Sequence, residues 1–104
     1  MTATVGAQYK VYVDDNYHYM DESERFLAGV YSDCNSAIAK CKEIVDDFLL
    51  SSYTPGMTAG ELCSSYTLFG EDPFIVTTDT ACEKFSAWTY AEGRCAELCG
   101  RSRM

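Results

Sequence analysis

The stretch Asp14-Asp15-Asn16-Tyr17-His18-Tyr19-Met20-Asp21-Glu22-Ser23-Glu24 gathers five carboxylates, the only histidine of the chain and two tyrosines, directly ahead of Arg25. Oxygen ligands this dense suggest a calcium loop. An EF-hand loop, however, wants acids at positions 1, 3 and 5, a glycine at 6 and a glutamate at 12. Counted from Asp14, position 5 is His18, position 6 is Tyr19 and position 12 is Arg25, so the pattern fails. A transition metal would want His or Cys partners close to His18, and the sequence holds no C-x-x-C or H-x-x-x-H. Cys95 and Cys99 stand one helical turn apart and could offer two ligands, joined by His18 or Cys34. Cys95 also falls on a helical stripe with Trp88 and Leu98, and core packing is the favoured reading. No metal site and no cofactor are assigned.

Catalysis finds no assembled constellation either. His18 could deprotonate one of the six cysteines, but nothing selects a pair, and no Gly-rich elbow presents a nucleophile. Carboxylate acid/base chemistry needs two acids held across a cleft, which a chain this small rarely builds alone. No catalytic residue is assigned. Recognition suits the residues better: tyrosines offer amphipathic contact area with few rotatable bonds, and an arginine offers a bidentate donor. The candidate binding residues are therefore Asp14, Asp15, Asn16, Tyr17, His18, Tyr19, Asp21, Glu22, Glu24 and Arg25. A purely structural alternative stays open, with Tyr17 and Tyr19 continuing a strand and Asp21 and Glu24 capping a turn.

The run VDDNYHYMDESERF, with the later segments GEDPF and FSAWTYA, resembles a group of small uncharacterised bacterial proteins. The resemblance spans nearly the whole chain and implies a bacterial, single-domain protein. It transfers no activity and no catalytic residue.

The elements that would hold this segment follow from periodicity. Tyr9, Val11 and Val13 alternate with Lys10 and Tyr12, the pattern of a half-buried strand. Residues 25–31 read as a second strand, with Gly29 marking a bulge. Cys34, Ala37, Ile38, Cys41, Ile44, Val45, Phe48 and Leu49 recur at steps of three and four, predicting a helix over 33–51 capped by Ser32 or Asp33. On its polar side, Lys42 and Asp46 are spaced for an ion pair. Pro55-Gly56 makes a turn, and Thr58 with Glu61 forms a capping box. The helix it opens should bury Leu62, Cys63, Tyr66 and Phe69 and end at Gly70. Glu71-Asp72-Pro73 reads as a break before a strand at 74–78, and 79–85 as a returning hairpin arm. Ser86 caps a last helix with a stripe of Trp88, Ala91, Cys95 and Leu98, stopped by Gly100 near Arg101 and Arg103. The order β-β-α-α-β-α gives an α+β fold, a small antiparallel sheet with about three helices packed on one face. Residues 1–7 read as a flexible leader, 8–100 as one domain and 101–104 as a flexible tail.

Composition narrows the partners. The 104 residues carry 16 acids against 8 Lys and Arg, a net charge of −8, which argues against binding nucleic acid through phosphates. From Glu43 to Glu83 there are eight acids and no Lys or Arg, a field suited to a basic partner. No run of apolar residues is long enough for a membrane span, and residues 1–10 lack a secretory pattern. With the cysteines inside helical stripes, the expectation is reduced thiols in a cytoplasm.

The favoured function is a non-catalytic protein-interaction module acting through 14–25. One alternative is a small enzyme or a metal- or small-molecule-binding protein using His18 with nearby carboxylates or a cysteine. Another is an acidic mimic of nucleic acid that inhibits a basic partner. Self-association to a homodimer, through a strand edge or the tyrosine face, is also open.

Overall fold

The computed structural model describes residues 8–16 and 25–100. The leader at 1–7, the stretch Tyr17, His18, Tyr19, Met20, Asp21, Glu22, Ser23 and Glu24, and the tail 101–104 with Arg101 and Arg103 lie outside the described residues. The element order is β1 (Tyr9–Asp15), β2 (Phe26–Tyr31), α1 (Cys34–Ser52), α2 (Ala59–Phe69), β3 (Glu71–Val76) and α3 (Ala87–Gly100). This is the expected α+β fold. The strands form one antiparallel sheet of order β2-β1-β3.

Strand β1 is central because its alternation is cleanest. Tyr9, Val11 and Val13 are buried on one face, while Lys10 and Tyr12 lie on the other. The bulge falls where Gly29 marks it: Val11 pairs with Gly29 but Tyr12 with Leu27, leaving Ala28 as the extra residue. Strand β3 starts three residues earlier than the sequence suggests. Pro73 pairs with Val13 instead of breaking the chain, which an edge strand tolerates because its outward side needs no N–H donor.

Only α1 lies broadly on the sheet; α2 and α3 pack on α1 and on each other. Asp33 caps α1, its carboxylate accepting from the Ser36 N–H at 2.7 Å. The first half of α1 puts Ala37 and Cys41 against Tyr9 and Val11. Its second half puts Val45 and Leu49 into a core with Leu62, Tyr66, Ala87, Ala91, Cys95 and Cys99. Helix α2 opens with the expected capping box, Thr58 and Glu61 each satisfying the other's backbone N–H. Gly56 takes a positive φ of 88° in the turn before it. Gly70 ends α2, and a Cβ there would run into the Tyr66 ring.

Several expected contacts shift by one residue. The stripe of α3 is Ala87, Ala91, Cys95 and Cys99, and Trp88 is exposed, because α3 meets two helices that demand small residues at the contact. Phe69 is exposed at the end of α2. Asp46 accepts from Tyr90 Oη at 3.0 Å and Arg94 Nε at 2.9 Å, while the Lys42 ammonium sits over the Tyr90 ring. Residues 79–85 form turns instead of a hairpin arm. They are held by Tyr9 Oη donating to Asp79 at 2.5 Å and by a disulfide between Cys34 and Cys82. That bond corrects the expectation of six reduced cysteines. Cys34 occupies the first turn of α1 and Cys82 the turn that folds back over it, an adjacency that spacing along the chain does not reveal.

Candidate functional site

The described candidates Asp14, Asp15, Asn16 and Arg25 meet where β1 ends and β2 begins. They do different things. Asn16 is buried and structural: its amide donates to the Tyr66 carbonyl at 2.9 Å, and its N–H donates to the Gly70 carbonyl at 2.9 Å. It thereby fastens β1 to the end of α2, adding a second donor to the Tyr66 carbonyl that already accepts from the Gly70 N–H. Arg25 grips Asp14 in a two-point pair, Nε to Oδ1 at 2.6 Å and Nη2 to Oδ2 at 3.1 Å, and lies 4.9 Å from the Phe74 ring centre. The pair ties the end of β1 to the residue just before β2. Tyr17, His18, Tyr19, Asp21, Glu22 and Glu24 lie outside the described residues.

Asp15 points the other way, toward the helices, as register dictates. It pairs with Glu71 of β3, two residues beyond the buried pair Val13 and Pro73 on the same face. Here the second half of α1 overhangs the sheet and leaves a cleft of 580 Å³ lined by Val13, Asp14, Asp15, Phe26, Asp47, Phe48, Ser51, Phe69 and Glu71. Its chemistry is mixed. Phe26, Phe48 and Phe69 supply apolar wall, and Asp15, Asp47 and Glu71 supply negative charge. Desolvation, then the Asp15 and Asp47 charges, raise the Glu71 carboxyl above the ordinary range. Asp72 beside it is also raised, by desolvation and then by Asp14, with the Trp88 indole N–H acting in the opposite sense. A cation beside Glu71 would offset both the desolvation and the neighbouring charges that raise it.

Sequence reasoning missed Asp47, Phe48, Ser51, Phe69 and Glu71. Asp46 reads as a polar-side partner of Lys42, but the 100° step to its neighbour sends Asp46 to Arg94 and Asp47 to the cleft. Glu71 was hidden by the Pro73 that appeared to break the chain. The available signal was the alternation from Glu71 to Val76, readable as an edge strand despite its proline.

The Cys41 and Cys95 thiols do not resemble nucleophiles. Burial, with a smaller contribution from Asp72, pushes Cys41 up to about 11, and burial with neighbouring Cys63 and Cys99 pushes Cys95 up to about 12. Cys34 is bonded to Cys82, not available beside Cys95 and Cys99 as a ligand. Among the described residues, no group of three or more His, Cys, Asp and Glu is arranged to hold a metal ion. No described helix is long and apolar enough to cross a membrane. Compared with known proteins, the chain matches no family model, no curated protein and no solved structure.

Proposed function

We propose that this chain is a non-catalytic protein-interaction module whose cleft between α1 and the end of the sheet takes a basic, partly apolar segment of another protein. The observation that carries the reading is the pairing of Asp15, Asp47 and Glu71 with Phe26, Phe48 and Phe69 around one cavity. A lysine or arginine entering it offsets the desolvation and the Asp15 and Asp47 charges that raise the Glu71 carboxyl, while its methylenes lie along the phenylalanines. The net charge of −8 adds long-range attraction for such a partner. The tyrosines and acids of 17–24 belong to the same proposal by composition alone.

Kinship with the small bacterial proteins that the VDDNYHYMDESERF run resembles belongs to the same proposal. So does the compartment: the buried thiols Cys41, Cys95 and Cys99 fit the cytoplasm, whereas the Cys34–Cys82 bond fits an oxidising environment. Alkylation of thiols at harvest, before lysis, decides between the two.

Calorimetric titration with a peptide alternating Arg or Lys with Leu or Phe tests the binding. A Kd in the range of about 1–100 μM is expected, weakening several-fold between about 50 and 200 mM salt. Asp47→Lys with Glu71→Lys should abolish it. Binding that ignores salt and this reversal would remove the acidic cleft as the site.

A further inference from the structure

Among the described residues, the helices pack on one face of the sheet and leave the other bare apart from Trp88 of α3, whose indole reaches Asp72. Along that face the register aligns three rows: Val30, Lys10 and Val76; then Leu27, Tyr12 and Phe74; then Asp14 beside Asp72, with Arg25 reaching over from just before β2. Leu27, Val30 and Val76 are each close to half exposed, and Tyr12 stacks on Phe74 with ring centres 6.0 Å apart. On a molecule of charge −8 this face is locally balanced. Lys10 stands at one end of β1, and Asp14 and Asp72 lie at the other. Lys10 makes no ion pair among the described residues.

We propose that this sheet face binds a second copy of this chain, around a two-fold axis that crosses β1 at Tyr12. An axis lying between the two sheets and perpendicular to β1 reverses the strand direction in the other copy. Each Lys10 then faces the cluster of Asp14, Arg25 and Asp72 in the other molecule, two carboxylates and one guanidinium, and the row of Leu27, Tyr12 and Phe74 packs on itself. The alternative axis, parallel to β1, would set Lys10 on Lys10 and one net-negative cluster on the other, so net charge selects the first arrangement. Three strands about 4.8 Å apart, with about five residues each rising ~3.3 Å, give roughly 240 Å² in projection. That is well below the ~800 Å² per partner of a stable complex, so the dimer is weak and concentration-dependent. The acidic cleft opens on the helix side, so both clefts of the dimer stay accessible. The dimer does not depend on what the cleft binds.

Sedimentation velocity on the disulfide-intact protein, from about 20 μM to about 1 mM, tests this. The expected result is a reversible shift toward twice the monomer mass across the upper part of that range. Lys10→Glu should weaken association at least about tenfold, and Lys10→Arg should retain it. Leu27→Lys, on the same face but away from the ion pairs, gives a second loss should Lys10→Glu fail to fold. A wild-type chain that stays monomeric throughout overturns the proposal. So does a dimer that survives both Lys10→Glu and Leu27→Lys, because pairing along the free edge of β2 would then be responsible.

Discussion

Breaking the Cys34–Cys82 bond is the perturbation whose size follows most directly from the fold. The bond joins residues 48 apart in sequence, across the first turn of α1 and the segment leading into α3. Closing a loop of that length restricts the unfolded chain by about 4 kcal/mol. For a chain near 100 residues, about 4 kcal/mol corresponds to a fall in Tm of roughly 15–20 °C. Two routes should agree: wild type with reductant, and Cys34→Ala with Cys82→Ala. Both cysteines pack beside Tyr9, Val11, Ala37 and Cys41, so the double variant also loses some contact and should sit slightly lower. Thermal unfolding followed by circular dichroism reads the difference. Thiol titration of the unfolded, unreduced protein should count four, from Cys41, Cys63, Cys95 and Cys99. Six thiols, or a Tm shift under about 5 °C by both routes, would refute the reasoning, because the link would then be absent or would constrain only a local turn.

Acidity should act in two opposed ways. Glu71 and Asp72 titrate higher in the fold than in the unfolded chain, so their charged forms weaken the fold, and that cost fades as pH falls through the raised values. Asp79 is lowered, first by the Tyr9 hydroxyl and then by the Ala81 N–H; its contribution is present above the ordinary carboxylate range and is lost as pH falls through its lowered value. Urea midpoints should therefore peak on the acid side of neutrality, and a steady rise up to about pH 8 would contradict this. Glu71→Gln should raise Tm by about 1–2 °C while weakening the basic peptide, and calorimetry with the same protein reads both. Thr58→Ala removes half of the capping box and should cost about 1 kcal/mol in chemical unfolding. Leu49→Ala, in the centre of the helical core, should cost about 2–5 kcal/mol by the same measurement.

Local chemistry explains which parts of this fold are legible in the sequence. Alternation at Tyr9, Val11 and Val13, the stripe of α1, the capping box and the bulge at Gly29 are each written into neighbouring residues, and they emerge as expected. The failures depend on tertiary neighbours. Trp88 falls on the stripe expected to be buried, with Ala91, Cys95 and Leu98, yet α3 faces α1 and α2 through Ala87, Ala91 and Cys95, and the close contact leaves no room for an indole. The Cys34–Cys82 pairing needed the path of 79–85, which no periodicity reports. At the candidate site, Asp15 was legible, but Asp47 and Glu71 arrive from elements distant in sequence. Asn16 read as a contact residue and instead holds α2 to β1.

Titrating a ¹⁵N-labelled sample with the basic, partly apolar peptide maps the binding residue by residue. Saturable amide shifts are expected on Val13–Asp15, Phe26, Asp47–Ser51 and Phe69–Glu71, the rim of the acidic cleft. Shifts concentrated instead on residues 74–85, around the separate 460 Å³ cleft beside Cys82, or no saturable shift at all, would contradict binding there.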